Sequence, residues 1–170
     1  MGSEPRAVTL SKRTREPRMD VNELSAIEEI KQLKARYFRT VDEKDWPALR
    51  RLFTEDARAW YPAPARWFTG PEEIVAWASS FLAPGTITVH HGFMPEITLS
   101  APDRAEGIWA MRDDVDIPER DGTGRRRFIG AGHYREQYRR VGGHWKIYRL
   151  VLTRLRVDET TVRLGGPPPQ

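Results

Sequence analysis

The sequence predicts an α+β domain: a strongly curved antiparallel sheet, closed by about three N-terminal helices around a pocket. Three observations carry this. Apolar residues recur at the helical period between Asn22 and Leu82. From Thr86 onward they alternate at the two-residue period of strands. The last two strand candidates run for more than ten residues each, a length that requires a bent sheet.

The elements follow in order. Residues 1–20 mix charge, Pro and small residues without periodicity and are expected to form a mobile arm. In the first helix Ile27, Ile30, Leu33, Tyr37 and Val41 form one apolar stripe, with Lys31, Lys34 and Arg36 away from its centre. Asp45-Trp46-Pro47 opens a second helix, with Asp as N-cap and Pro in the first turn; Leu49, Leu52 and Phe53 give its buried side. Ala57–Tyr61 reads as a short strand stopped by Pro62 and Pro64. Gly70-Pro71-Glu72-Glu73 starts a third helix, its acids suited to the helix dipole, and Ile74, Trp77, Phe81 and Leu82 face inward.

Strands are expected at Thr86–His91, Glu96–Leu99, Ala105–Asp116, Arg126–Arg140 and His144–Val157. Asp121-Gly122-Thr123-Gly124 and Gly142-Gly143 supply the turns between the long ones. One domain over residues 21–160 fits a chain of 170 residues. Residues 161–170, ending Gly165-Gly166-Pro167-Pro168-Pro169, read as a disordered tail.

Composition narrows the function classes. The formal charge is +4, but residues 1–20 hold five Lys and Arg against three acids, which leaves +2 for residues 21–170. Nucleic-acid binding calls for a denser basic face, and Arg125-Arg126-Arg127 reads as a solvated strand end. Without cysteine there is no disulfide, thiolate metal site or Cys nucleophile. No apolar run has the length of a membrane span or a secretory signal, so a cytoplasmic protein without membrane partners is expected. Six Trp, six Phe and five Tyr favour a pocket with flat apolar walls. The four histidines show no metal-ligand spacing, and no metal is expected.

Several segments, in order, carry a family resemblance. They are Leu33-Lys34-Ala35-Arg36-Tyr37-Phe38, Asp42-Glu43-Lys44-Asp45-Trp46, Leu52-Phe53-Thr54-Glu55-Asp56-Ala57, Gly70-Pro71-Glu72-Glu73-Ile74, His90-His91, Gly130-Ala131-Gly132-His133-Tyr134 and Gly143-His144-Trp145-Lys146-Ile147. Over about residues 22–158 the chain resembles the SnoaL-like families of the nuclear-transport-factor-2-like superfamily, whose fold is an α/β cone. Its closest functional likeness is to the cofactor-free lyases there: scytalone dehydratase, bile-acid 7-alpha-dehydratase and hexachlorocyclohexane dehydrochlorinase. The resemblance implies a His–Asp pair inside the cone, here His90 and Asp42, 48 residues apart, with Tyr37 five residues before the Asp. It implies a further pocket acid at Asp113 and, after a one-residue shift, a pocket Arg at Arg154. It also implies a homodimer or homotrimer and no cofactor.

These residue types suit elimination. A histidine titrates near neutrality and can take a carbon-bound proton, a carboxylate beside it fixes the tautomer, and a Tyr can donate to a developing enolate. The expected activity is therefore that of a dehydratase, isomerase or cyclase on a small apolar ring substrate, with His90, Asp42, Tyr37 and Asp113 catalytic. Trp60, Trp109, Tyr134 and Arg154 would hold the substrate. Other readings of the same residues stay open. Asp42 could cap a helix end, Tyr37 could be a core residue, and either His90 or His91 could face inward, since strand neighbours point oppositely. Two other functions remain: a polyketide-cyclase-like or ligand-binding cone, and the non-catalytic small subunit of a ring-hydroxylating dioxygenase.

Overall fold

The computed structural model describes residues 19–163 apart from Ala83, Arg120, Asp121 and Thr123. Residues 1–18 of the expected arm and residues 164–170 of the expected tail lie outside the described residues, whereas residues 161–163, expected in the tail, continue the last strand.

Asp20 starts the first helix. Its carboxylate accepts the Glu23 N–H at 2.8 Å, and Glu23 accepts the Asp20 N–H at 2.8 Å. This reciprocal cap satisfies two donors that a helix start leaves open, and α1 (Val21–Asp42) follows. The helix ends in a Schellman turn: Asp45 N–H donates to the Thr40 carbonyl at 2.9 Å and Lys44 N–H to that of Val41 at 3.3 Å. Asp45 then caps α2 (Trp46–Arg51) by accepting the Ala48 N–H at 2.9 Å, with Pro47 in the first turn as the sequence predicts.

The chain continues through β1 (Phe53–Tyr61), β2 (Arg66–Thr69) and α3 (Gly70–Phe81). It ends in β3 (Ile87–Gly92), β4 (Glu96–Ala101), β5 (Arg104–Pro118), β6 (Gly124–Val141) and β7 (His144–Arg163). Strand β2 is not foreseen by the sequence pattern, and β1 begins four residues before the expected start. One curved sheet runs β2-β1-β7-β6-β5-β3, with β4 sharing the outer edge of β5 with β3. β5, β6 and β7 form the expected antiparallel meander. β1 instead joins β7 in parallel, the one parallel pair among the described strands. That pairing is possible because all of the chain from β2 to β6 serves as the crossover.

The helices cover the concave face. α1 presents Ile30, Leu33, Tyr37 and Val41, and α3 presents Ile74 and Ala78, against Trp109, Met111, Tyr134, Tyr138, Leu150 and Leu152 of the sheet. Lys34 corrects the expected helix face. It is wholly buried on the stripe, 2.5 Å from the equally buried Glu136, and its ammonium lies 3.5 Å from the centre of the Tyr134 ring. Tyr138 donates its hydroxyl to Glu136, and Trp109 donates its indole N–H to Tyr138 at 2.8 Å. Burial pushes the Lys34 amine down to about 8, against the pull of Glu136.

The three consecutive arginines of β6 sit on a solvated strand end, each paired across the sheet: Arg125 with Asp116, Arg126 with Glu159 and Arg127 with Asp114. Among the described residues no helix is long and apolar enough to cross a membrane.

A charge stranded by removing one partner of a fully buried pair costs ~3–5 kcal/mol. Lys34→Met is therefore expected to lower unfolding free energy by about that amount in urea titrations. Adding Glu136→Gln, which removes the stranded charge but keeps an acceptor for Tyr138, should recover about half of it. Additive losses in the double variant would contradict this reading of the pair.

Candidate active site

The site begins at the last residue of α1. Asp42 accepts two hydrogen bonds from His90, the backbone N–H at 3.0 Å and ring Nδ1 at 2.6 Å. Both come from β3, which α1 crosses on the concave side. The Phe38 ring, one helical turn back, lies nearly parallel to the imidazole, with centroids 6.2 Å apart and planes 11° apart. His90 is thus clamped by a carboxylate at its edge and a phenyl ring on its face. Burial alone would raise the Asp42 carboxyl, but the hydrogen bonds from the His90 ring and backbone outweigh it and hold it below the ordinary value. An ionised Asp42 can only accept, so Nδ1 carries the proton and Nε2 of the neutral ring keeps its lone pair.

Register brings the next residue in. In the sheet His90 stands opposite Asp113, and Asp113 opposite Gly130. Asp113 is buried, with Oδ2 4.0 Å from His90 Nε2. Its ion-pair partner is Arg154 of β7, which reaches across the sheet with a two-pronged grip: Nη1 to Oδ1 at 2.8 Å and Nη2 to Oδ2 at 2.6 Å. That reach requires Gly130, because a Cβ there would overlap both Arg154 Nη1 and Asp113 Oδ1.

Around these groups lies a cavity of about 60 Å³, walled by Val41, Leu49, Val115, Leu152, Tyr134 and the aromatic side chains of α3. Tyr37 lines it and meets the hydroxyl of Tyr61 at 3.2 Å. Burial, reinforced by neighbouring Tyr61 and Tyr134, pushes the Tyr37 phenol well above its usual value, so it stays protonated. Trp77 and Phe81 stack in parallel, 5.6 Å apart, and Phe128 stands 6.2 Å from Phe81. These three rings, Tyr61, Leu152 and Arg154 also border an outer cleft of about 460 Å³.

Of the eight residues predicted for the site, six line this cavity or hold its base: Tyr37, Asp42, His90, Asp113, Tyr134 and Arg154. Two lie elsewhere. Trp60 sits on the outer face of β1 against Trp67, because the buried alternation runs Ala57, Ala59, Tyr61. Trp109 is buried, but its indole is spent on Tyr138. His91 points outward and is exposed, as is His144. The pattern missed Tyr61, Lys34 and Glu136. Alternation from Tyr134 would have found Glu136, and spacing from Ile30 and Tyr37 would have found Lys34. Among the described residues no three His, Asp or Glu side chains converge as a metal site would need.

Comparison with known proteins agrees with this architecture. A family model described as a SnoaL-like domain matches residues 22–151. Among solved structures, a protein assigned as a scytalone dehydratase from Novosphingobium aromaticivorans superposes with a TM-score of 0.74 at 22% identity, covering 86% of this chain and 95% of that one. The Type2 hexachlorocyclohexane dehydrochlorinase superposes at 0.73 and 21%, covering 87% and 97%. The LinA-type3 dehydrochlorinase of Novosphingobium barchaimii gives 0.68 and 20%, covering 88% and 99%. At these identities the likeness is one of fold.

Two outcomes follow from the geometry. Gly130→Ala should part the Asp113–Arg154 grip in a crystal structure and cost ~1–3 kcal/mol of stability, the usual range for overpacking; an intact grip would refute the role given to Gly130. Because the folded Asp42 has a lowered pKa, its contribution to stability is full above the ordinary carboxylate range and is lost as pH falls through the folded value. Acid titrations should therefore show the stability gap between wild type and Asp42→Asn narrowing below about pH 4. A gap that is constant with pH would contradict the hydrogen bonding of an ionised Asp42.

Proposed function

This chain belongs to the SnoaL-like domain family, and from that premise we propose that it is a cofactor-independent lyase or isomerase acting on a small apolar ring compound. The observation that carries the reading is the imidazole of His90, held through Nδ1 by Asp42 and turned with Nε2 toward an aromatic-walled cavity. Names among the structural neighbours, hexachlorocyclohexane dehydrochlorinase and scytalone dehydratase, support the same reaction class.

In an elimination, Nε2 takes a proton from a ring carbon. The electrons of that C–H bond form the new C=C bond, and the leaving group departs with its own bonding pair. Asp42 and Asp113 flank the imidazolium so formed and stabilise its charge. Where the leaving group is hydroxide, the imidazolium returns its proton and water leaves. Where it is halide, no proton is needed, and the guanidinium of Arg154 at the cavity wall offers an electrostatic partner. The Tyr37 hydroxyl, kept protonated by burial, donates to a substrate carbonyl if an enolate forms. An inner space of about 60 Å³ admits only the reacting portion of a substrate, and the apolar outer cleft of about 460 Å³ receives the rest.

The cavity also favours this reading over a non-catalytic dioxygenase subunit, which would fill its cone with side chains.

The test is turnover of scytalone and hexachlorocyclohexane, together with deuterium uptake from D2O into the acidic ring carbon of 2-tetralone. Wild type is expected to act on at least one of the three. His90→Ala should lower that rate by about 10²–10⁴-fold, the usual worth of a general acid–base group. A His90→Ala protein as active as wild type, or no elimination and no exchange with any of the three, would overturn the assignment.

A further inference from the structure

Lys44 occupies a place where glycine is the unstrained choice. It is the left-handed residue of the Schellman turn after α1, at φ 62°, one of two non-glycine residues at positive φ among those described. A side chain held in a costly backbone conformation asks for a compensating contact. Here the ammonium donates to the Val41 carbonyl at 3.2 Å, to the Asp42 carbonyl at 3.3 Å and to Thr88 Oγ1 at 2.7 Å. Thr88 is buried on β3, two residues before His90 and on the same face. With its hydroxyl oxygen accepting from Lys44, Thr88 ties that ammonium to the strand of His90. Lys44 therefore touches both halves of the pair: the end of the helix that carries Asp42, and the strand that carries His90.

We propose that Lys44 is a positioning residue for the acid–base pair, bracing the C-terminus of α1 to β3 through Thr88 so that Asp42 faces His90 Nδ1. It reaches no part of the cavity and acts through Asp42 alone. The inference rests on the reading of His90 and Asp42 as an acid–base pair, but its test needs no substrate. It adds a residue outside the cavity, with a backbone strain that its three hydrogen bonds account for.

The experiment compares wild type, Lys44→Gly, Lys44→Arg and Thr88→Val by the 15N shifts of the His90 ring, read through its carbon-bound protons at a pH where the ring is neutral. Those shifts give the ratio of Nδ1–H to Nε2–H tautomers. Glycine suits the positive φ, so Lys44→Gly should fold with an unchanged or raised melting temperature while its tautomer ratio falls about fivefold, the population factor of one net hydrogen bond. Thr88→Val should show the same fall, and Lys44→Arg, which restores a cationic donor, should return the ratio toward wild type. A wild-type ratio in Lys44→Gly would overturn the proposal. So would a Lys44→Arg protein that falls as far as Lys44→Gly, since the ammonium's bridging would then not be what matters. If turnover assays fail on every substrate while the tautomer ratios behave as described, the enzyme assignment falls and the bracing role of Lys44 stands.

Discussion

An anion placed at the wrong end of a helix is the constraint on which the rest of the site depends. Asp42 is the last residue of α1, where unpaired carbonyls make the helix end negative and disfavour another negative charge. The fold compensates with donors. His90 supplies two from β3, and Lys44 covers two of the terminal carbonyls while reaching Thr88 of β3. The compensation locates the imidazole proposed as the base, because both donors on His90 must point at one carboxylate and its remaining ring nitrogen is left toward the cavity.

The same economy governs the interior. Three groups of buried polar side chains occur as closed sets: Lys34 with Glu136, Tyr138 and Trp109; Asp113 with Arg154; Tyr37 with Tyr61. Each set joins elements far apart in sequence, so the walls of the pocket are fixed by long-range pairs as well as by apolar packing. Within this arrangement His90 Nε2 stands out as a basic nitrogen that faces free space and has Asp113 only at 4.0 Å. A basic nitrogen left open beside paired polar groups is what proton abstraction in an apolar pocket requires.

Much of this was legible in the residues. Capping chemistry at Asp45 and Pro47, the acids at the start of α3 and the two-residue alternation after Thr86 place the elements with little error, because those signals are local. Alternation also puts Asp113 on the same face as Trp109 and Met111, where the structure has it. What was illegible depends on distant pairings. Lys34 reads as surface because its partner lies 102 residues away, although its spacing from Ile30 and Tyr37 already sets it on the buried stripe. The Asp113–Arg154 pair leaves no local signal, because nothing near either residue tells that Gly130 leaves a gap for Arg154 to cross, and the irregular pairing at Ala131 and Gly132 shifts the β7 register beside it. The parallel β1–β7 pair and the four-residue β2 leave no periodic trace of their own. Choosing Trp60 over Tyr61 was an error of strand phase, since Ala57 and Ala59 mark the inward face.

The central claim is that a substrate carbon meets His90 Nε2 inside the cone. A crystal structure of the protein with bound 2-tetralone tests it most directly. The account predicts an acidic ring carbon within about 3.5 Å of Nε2, the range of a near-attack geometry, with Nδ1 still on Asp42. A ligand confined to the outer cleft, or an imidazole turned away from Asp42, would contradict it.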